Sequence, residues 1–345
     1  MKTNRISRRS FVHKTAMTGG LASVAPLTFT AASCSPVPER KRSDREVWIG
    51  GFGQMGLTAE TPAKLADKSY EILKELVVYS PDFVVLPESF PYVMNYRLSV
   101  EDKVAISNEV QQKLSEFAKQ YNCYTLCPAV TAIDGKHYNS IVVFDRNGKQ
   151  IGMYHKIHAT EVEIKNRGIT SGPLEQPVIQ TEFGPIGIQI CYDINWDDGW
   201  QMLKKQGARI IFWCSAFDGG LMVNTKAWQH KCVVASSTLK NVSRLCDISG
   251  ETIAKTGIWK PNLYCAPVNL EKGFFPAYDF IKEYAAIEQK YGRKVKLTTF
   301  HEEEWTIVES LSPDLSIADL KKEFGLVSYE DDLRNAEIVQ NNSRV

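Results

Sequence analysis

The sequence predicts an α/β fold: an α-β-β-α four-layer sandwich of two mixed β-sheets with outer helices, followed by a C-terminal helical arm. Helix and strand signals alternate early, where "TPAKLADKSYEILKELVVYS" precedes the apolar "DFVVLP". Hairpin signals follow, because "DGK" and "RNGK" separate "YTLCPAVTA", "SIVVFD" and "QIGMYH". The roughly twelve strands expected in total are too many for one sheet without curling or splitting.

The elements are predicted in order from residue 46. "EVWIGGFG" alternates like a first strand, and an amphipathic helix with Leu65, Leu73 and Leu76 on one face comes before "DFVVLP". A second amphipathic helix carries Val110 and Phe117, and the three hairpin strands follow it. A short helix is expected near Trp200. Further strands are predicted at "PVIQT", "PIGIQI", "ARIIFWC", "CVVASST", "SRLCDIS", "ETIAKT" and "LYCAPVNL".

Beyond about residue 272 the sequence changes from apolar strand patterns to charged, amphipathic helix patterns. "FFPAYDFIKEYAAIEQKYGRKVK" reads as a charged amphipathic helix, and "SIADLKKEFG" has a capping signal at Ser316 and a glycine stop. We therefore predict a core domain at residues 46–272. Residues 273–345 are predicted to form a C-terminal extension that packs on the core or on a partner subunit.

Residues 1–34 have the pattern of an export signal, with a basic start, a weakly apolar middle and small residues at the end. Arg8 and Arg9 within "SRRSFVHK" match the twin-arginine signal. We therefore expect export by the twin-arginine route to the periplasm or cell envelope.

Cys34 closes "TAASC", which resembles the lipobox of bacterial lipoproteins, although Ala31 stands at the usual leucine position. Lipidation of Cys34, which would anchor the protein to a membrane, and simple cleavage near Ser33 are the two alternatives. Residues 35–45 are polar and contain proline, which is typical of a flexible tether.

Charge and hydropathy exclude two classes of protein. The chain has 41 Lys and Arg against 40 Asp and Glu, and residues 1–34 hold five of the basic residues and no acid. Without that segment, 36 basic residues face 40 acidic ones, a net charge near −4, which provides no basic field for nucleic acid. No stretch of the core reaches the ~18–20 apolar residues of a membrane-spanning helix.

Eight cysteines occur in the chain, most of them within apolar runs such as "FWCSA" and "KCVVA". Free cysteine in such runs behaves as a small hydrophobic residue, and twin-arginine export of a folded protein fits unpaired thiols. A disulfide nevertheless remains an open alternative in an exported protein. "CYTLC" has the wrong spacing for a CxxC redox or zinc pair.

Three polar residues come where apolar strands end: Glu88 after "FVVLP", Lys156 after "QIGMYH" and Cys191 after "PIGIQI". Sites in α/β proteins are commonly built where such strand ends meet. A cysteine nucleophile needs a base and a donor for the developing oxyanion. Glu88 can take the thiol proton, and Lys156 can stabilise both the thiolate and the oxyanion. Core filling is the alternative interpretation for Cys191 taken alone.

The segments "LPESF", "YHKIHATEVEI" and "GPIGIQICYDINW" resemble the nitrilase superfamily of carbon-nitrogen hydrolases over residues 46–270. The resemblance implies that Glu88 is the base, Lys156 the oxyanion and thiolate stabiliser, and Cys191 the nucleophile, with the N–H of Tyr192 in the oxyanion hole. It also implies a sandwich fold and a homodimer or higher homo-oligomer.

Many members of that family have a second glutamate between the lysine and the cysteine. Glu161 and Glu163 both lie in "TEVEIKNRG", and we favour Glu163 because of its "E-I" context. "WCSAFDGG" resembles the strand that lines the substrate pocket, which suggests Ser215 and Ala216 as pocket residues, although Cys214 replaces the usual proline.

The resemblance implies a hydrolase that cleaves a non-peptide carbon–nitrogen bond of a small molecule through a cysteine thioester. An amide is favoured over a nitrile or carbamoyl substrate, because amidases are the broader class. No metal or organic cofactor is implied, since His155 and His158 form an His-x-x-His pair without further ligands. The alternatives are a thioester-based acyltransferase and a non-catalytic envelope-tethered binding protein on the same fold. Preferential alkylation of Cys191 would distinguish the enzyme from the binding protein.

Overall fold

The computed structural model describes residues 46–344, except residues 93–96 and 258–259. The predicted export signal with Arg8, Arg9 and Cys34 lies outside the described residues, and so does the whole of the predicted tether, residues 35–45. Among the helices that are described, none combines the length and the apolarity needed to cross a membrane.

The first sheet has six strands in the spatial order β12-β1-β2-β3-β4-β5. Its central strands β1, β2 and β3 run parallel, and the remaining pairings are antiparallel. The strands are β1 (Glu46–Phe52), β2 (Phe83–Val85), β3 (Tyr124–Ile133), β4 (Lys136–Phe144), β5 (Gln150–His155) and β12 (Leu263–Asn269).

The second sheet repeats this plan, with the order β11-β10-β9-β8-β7-β6 and a parallel centre of β7, β8 and β9. Its outer pairings are antiparallel. The strands are β6 (Ile179–Thr181), β7 (Gly184–Ile190), β8 (Ile210–Ser215), β9 (Val233–Thr238), β10 (Arg244–Cys246) and β11 (Thr252–Lys255).

Helices cover the outer faces of both sheets. Apolar residues of α1 and α2 pack on the first sheet, and those of α4 and α5 pack on the second. The helices are α1 (Pro62–Leu73), α2 (Val100–Tyr121), α3 (Glu161–Arg167), α4 (Asp198–Lys205) and α5 (Leu221–His230). Helices α3 and α5 are additional to the predicted elements. The start of α2 is fixed by a capping box, in which Ser99 and Asp102 each accept the other's backbone N–H.

The main core lies between the two sheets. Inward-facing residues of both sheets form one buried cluster, in which the rings of Phe83 and Phe212 are 5.2 Å apart. Burying an aromatic or branched side chain of this kind contributes about 1.5–3 kcal/mol to stability. The predicted sandwich of two mixed sheets between helical layers is therefore confirmed.

The C-terminal segment contains the expected helices together with a three-stranded antiparallel sheet, β13-β15-β14, which the prediction of a helical arm did not include. The predicted long helix ends at Gly292, whose φ of +49° suits glycine. The residues after Gly292 form a strand that pairs with another strand, which starts ten residues further along the chain. The periodicity of a single segment does not reveal this pairing. The elements are β13 (Lys272–Pro276), α6 (Ile281–Tyr291), β14 (Val295–Phe300), β15 (Trp305–Ser310), α7 (Ile317–Phe324) and α8 (Tyr329–Ser343).

Candidate active site

Strand direction brings the three predicted residues to one pocket. Glu88 comes three residues after β2, Lys156 directly after β5 and Cys191 directly after β7. β2 and β5 run in the same direction in the first sheet, because two antiparallel steps separate β3 from β5. Their carboxyl ends therefore lie at one edge of that sheet, and the second sheet brings Cys191 to it. All three line a pocket of about 230 Å³.

Lys156 lies between two carboxylates. Its Nζ is 2.9 Å from Glu88 Oε1 and 2.8 Å from Glu163 Oε2. The lysine is 1% exposed and the two glutamates are 4% and 6% exposed. Buried charges are tolerated when they are paired and hydrogen-bonded, and this group meets both conditions. The arrangement fixes a cation and two anions beside the Cys191 thiol.

Asn139 joins the same two carboxylates, although the sequence did not mark it. Its Nδ2 donates to Glu88 Oε1 at 2.7 Å and to Glu163 Oε1 at 2.9 Å. β4 runs opposite to β5, and the backbone carbonyl of Asn139 accepts the N–H of Lys156. Asn139 lies in the polar first half of β4, so its local sequence does not set it apart. Recognising it requires the pairing of β4 with β5.

Helix α3 positions Glu163 and leaves Glu161 in solvent. Thr160 caps the helix: its hydroxyl accepts the N–H of Glu163, and its own N–H donates to Glu163 Oε2 at 2.8 Å. Glu161 is exposed and pairs with Lys165 on the helix surface. Of the two candidates, Glu163 is therefore the one that reaches Lys156.

The backbone presents Cys191 in a strained turn. Cys191 has a φ of +47° at the junction between β7 and a short 3₁₀ helix, Cys191–Asn195. A non-glycine residue in this region costs about 1–2 kcal/mol, and such residues cluster at functional sites. The indole N–H of Trp213 donates to the Cys191 carbonyl at 3.0 Å and holds the turn. Ser89, directly after Glu88, has a similar φ of +57°.

The electrostatics keep the thiol protonated and the lysine charged. Burial raises the pKa of the Cys191 thiol to about 12, the charge of Glu88 adds to the rise, and the charge of Lys156 opposes it. Burial disfavours charge on Lys156, but Glu88, Cys191 and Glu163 together raise its pKa above the usual lysine value. Burial also acts against ionised Glu163, yet the charge and hydrogen bond of Lys156 lower its pKa. Cys191 therefore needs a base at the moment of attack.

The family resemblance suggested three further site residues: Tyr192 for the oxyanion hole, and Ser215 and Ala216 for the substrate pocket. Tyr192 lies in the first turn of the 3₁₀ helix, where backbone N–H groups have no intrahelical acceptor. Ala216 lines the pocket, and its N–H donates to Glu88 Oε2 at 2.9 Å. Ser215 is fully buried, and its hydroxyl accepts the N–H of Phe217. Within the described part of the chain, Ser215 is not among the residues that line this pocket.

Asp193 ties the cysteine turn to the lysine segment and was also missed. It is completely buried, and Oδ2 accepts the N–H of Ile190 at 2.8 Å and the hydroxyl of Tyr154 at 2.8 Å. Oδ1 accepts the N–H of His158 at 2.7 Å. Asp193 was visible in "CYDINW", but only the folded chain shows that it links residues on both sides of Cys191 and Lys156.

The histidines near Lys156 have other partners. The ring of His158 stacks on Trp196 with a centroid distance of 4.2 Å, and the Asp193 hydrogen bond raises its pKa. His155 Nδ1 is 2.8 Å from the Ser140 hydroxyl. In residues 46–344 outside the two gaps, no group of three His, Cys, Asp or Glu residues could hold a metal ion. The seven cysteines of that part form no disulfide with one another.

The sequence is similar to those of two known amidases. The deaminated glutathione amidase of Synechocystis sp. is 27% identical over 183 residues, which are 48% of this chain and 67% of that protein. The omega-amidase of Xenopus tropicalis is 24% identical over 241 residues, which are 62% of this chain and 86% of that protein. Both named relatives are amidases.

Solved structures share the fold. The carbon-nitrogen hydrolase from Helicobacter pylori G27 superposes with a TM-score of 0.59 at 18% identity, over 67% of this chain and 91% of that one. The sequence profile of the carbon-nitrogen hydrolases matches residues 51–273, a region that contains Glu88, Lys156 and Cys191. The chain therefore belongs to the carbon-nitrogen hydrolase family.

Proposed function

We propose that this protein hydrolyses the amide bond of a small molecule through a thioester on Cys191. The observation that carries the proposal is the buried Lys156 ammonium, bridged between Glu88 and Glu163 in the pocket that Cys191 lines. Amidases among the relatives of this chain support an amide as the substrate.

Acylation begins with proton transfer from the Cys191 thiol to Glu88. The sulfur attacks the amide carbon, and the carbonyl oxygen becomes an oxyanion near the Lys156 ammonium and the Tyr192 N–H. Collapse of this intermediate breaks the carbon–nitrogen bond. Glu88 returns its proton to the leaving nitrogen, so that ammonia or an amine departs and a thioester remains.

Deacylation uses the same groups in the same order. Glu88 takes a proton from water, and the resulting hydroxide attacks the thioester carbon. The second tetrahedral intermediate expels the Cys191 sulfur, which regains a proton from Glu88 as the carboxylic acid leaves. Glu163 keeps the Lys156 ammonium in place through both steps and balances its charge. No metal ion or organic cofactor is needed for this sequence.

Three further features belong to the same proposal. The twin-arginine signal at Arg8 and Arg9 directs the folded enzyme to the periplasm or cell envelope, and Cys34 is the site at which a lipid anchor is attached. The C-terminal segment, residues 273–345, serves as an extension of a core domain at residues 46–272. The protein works as a homodimer or a higher homo-oligomer.

Ammonia release from a panel of small amides, nitriles and carbamoyl compounds tests the chemistry. The full chain is compared with its Cys191→Ala variant, and Cys265→Ala provides a matched control, because Cys265 is another free, partly exposed thiol. Loss of the nucleophile should reduce release at least roughly a thousandfold, and the control should keep its rate. Acid-quenched wild-type protein should carry the acyl mass on the Cys191 peptide.

Equal ammonia release from wild type and Cys191→Ala would refute the nucleophile. Ammonia release in which an added amine, and not water, takes up the acyl group would identify an acyltransferase. Release from nitriles alone would replace the amide by a nitrile in the proposal. No release from any compound, together with equal alkylation of all the thiols, would favour a binding protein.

A further inference from the structure

A second cavity, with a volume of about 270 Å³, lies between the second sheet and the C-terminal segment. Within the described part of the chain, it shares no lining residue with the active-site pocket. Among those described residues, its lining includes one carboxylate and five cations, which are Glu330 and Lys204, Arg209, Lys231, Lys272 and Lys321. The proposed mechanism uses none of them, so the purpose of this basic cavity is open.

Strand direction places two of the cations, Arg209 and Lys231, side by side. Arg209 immediately precedes β8, and Lys231 comes two residues before β9. β8 and β9 are parallel neighbours, and the Arg209 carbonyl accepts the Val233 N–H at 3.0 Å. β7 is parallel to both strands, and Cys191 follows its carboxyl end. The two cations therefore lie at the opposite edge of the second sheet from the proposed nucleophile.

The other three cations of the lining have carboxylate partners. The pairs are Lys204 with Glu330 at 3.6 Å, Lys272 with Asp247 at 2.8 Å and Lys321 with Asp331 at 2.9 Å. Arg209 and Lys231 form no ion pair with any described residue. The Arg209 guanidinium donates to the Leu270 carbonyl. Glu271, whose charge acts on Arg209, accepts the Ile317 N–H at 2.7 Å. Two positive charges thus line the cavity without a paired carboxylate.

The Lys231 ammonium is held in place by neutral groups. Lys231 is 8% exposed, and its Nζ donates to the Trp228 carbonyl at 2.7 Å. Nζ also lies 3.7 Å from the centroid of the Trp228 ring and 4.7 Å from that of Phe274. Such contacts fix the position of a cation but supply no negative charge. Because an ammonium has three N–H donors, two of them remain for a ligand.

Lys231 is in an unfavourable state in two respects. Burial lowers its pKa to about 8 against the opposing charges of Glu330 and Glu303, and the charge of Lys204 lowers it further. Lys231 also follows α5 directly with a φ of +48°, in the region that favours glycine. Residues held at such a conformational cost cluster at functional sites. An anion in the cavity would relieve the unfavourable charge.

We propose that this cavity binds a phosphate group, held by Arg209 and Lys231 between the second sheet and the C-terminal segment. A phosphate carries a charge of about −1.5 to −2 and three acceptor oxygens, which matches two cations better than one carboxylate does. The planar guanidinium suits two of these oxygens, and the ammonium suits the third. Arg209 is exposed, so a ligand can reach the cavity from solvent on that side. Inorganic phosphate and a small phosphate monoester share this chemistry.

Isothermal titration calorimetry of the full chain at constant ionic strength tests the site with inorganic phosphate and with glycerol 3-phosphate. Wild type should bind at least one of them with a Kd of about 1 mM or lower, and that ligand should raise the Tm. Tighter binding of glycerol 3-phosphate would identify a phosphate monoester as the ligand, and equal or weaker binding would identify inorganic phosphate. Malonate, a small dicarboxylate, should bind at least roughly tenfold more weakly than the better phosphate ligand.

Three variants locate the binding. Arg209→Gln and Lys231→Gln should each weaken phosphate binding by roughly ten- to a hundredfold, the usual effect of losing a hydrogen bond to a charged group. Lys205→Gln is the matched control, because Lys205 is an exposed cation next to Lys204 on α4 that is not among the residues lining this cavity. It should keep the Kd within about twofold of wild type. Circular dichroism checks the fold of each variant; if the buried Lys231→Gln does not fold, the exposed Arg209→Gln decides.

Three results would overturn the phosphate site. They are no binding of either phosphate up to about 10 mM, tighter binding of malonate than of both phosphates, and an affinity that Arg209→Gln leaves unchanged. Equal weakening by Lys205→Gln and Arg209→Gln would also count against it, because overall charge would then account for the binding. Since binding is measured without turnover, none of these outcomes depends on the proposed amide hydrolysis.

Discussion

Replacing Glu163 by glutamine tests the electrostatic core of the site. The Glu163→Gln side chain keeps its size but loses its charge, and it presents an NH₂ group where only acceptors now lie. Glu163 accepts hydrogen bonds from Lys156, Asn139 and the Thr160 N–H. Whichever way the new amide turns, its NH₂ group faces one of these donors.

The expected loss of stability follows from burial. Removing one partner of a buried ion pair costs about 3–5 kcal/mol, and Lys156 keeps its other partner, Glu88. We therefore expect the free energy of unfolding to fall by about 3 kcal/mol at pH 7. Glu161→Gln is the matched control on the same helix. Its exposed pair with Lys165 should contribute only about 0.3–0.5 kcal/mol.

The stability difference should depend on pH in one direction. The folded protein holds the pKa of Glu163 below its usual value of 4.5, so ionised Glu163 stabilises the fold above that pH. This contribution is lost as the pH falls through the folded pKa. The difference between wild type and Glu163→Gln should therefore be full at pH 7 and shrink steadily below pH 4.5.

Urea unfolding followed by circular dichroism at several pH values measures this difference. Ammonia release by the same variants should fall for Glu163→Gln, because Lys156 loses one of the two groups that hold it. Equal small losses for both glutamine variants would show that the buried pair contributes no more than a surface pair. A Glu163→Gln deficit that persists unchanged at acid pH would show that ionisation is not its cause.

Three other predictions concern Asn139, the twin-arginine signal and the lipid anchor at Cys34. Asn139→Leu should leave two buried carboxylate oxygens without their amide donor, which costs about 3–6 kcal/mol in urea unfolding; a loss below 1 kcal/mol would contradict this account. Replacing both Arg8 and Arg9 by lysine should retain the protein in the cytoplasm on cell fractionation, and unchanged fractionation would refute the twin-arginine signal. Cys34→Ser should abolish labelling with radioactive palmitate, and unchanged labelling would refute the lipid anchor.

Much of the fold could be predicted because its signals are local. The apolar runs before Glu88, Lys156 and Cys191 are short and bounded, so the strands and their polar ends are visible in the sequence. The number of strands also indicated that one sheet would not be enough. In the C-terminal segment the same approach predicted only helices: β13 pairs with β15 across the intervening helix α6, and the hairpin of β14 and β15 was missed.

The sequence alone determined the order of the strands β1–β12 of the core, the division into two mixed sheets and the placing of Glu88, Lys156 and Cys191 at strand ends. Tertiary structure decided which glutamate joins them, and it brought Asn139 and Asp193 into hydrogen bonds with residues distant in sequence. The sequence reveals the strands and helices because side-chain periodicity is set by residues that are neighbours in the chain. Hydrogen-bond partners, in contrast, depend on the direction and register of strands that pair only in the folded chain.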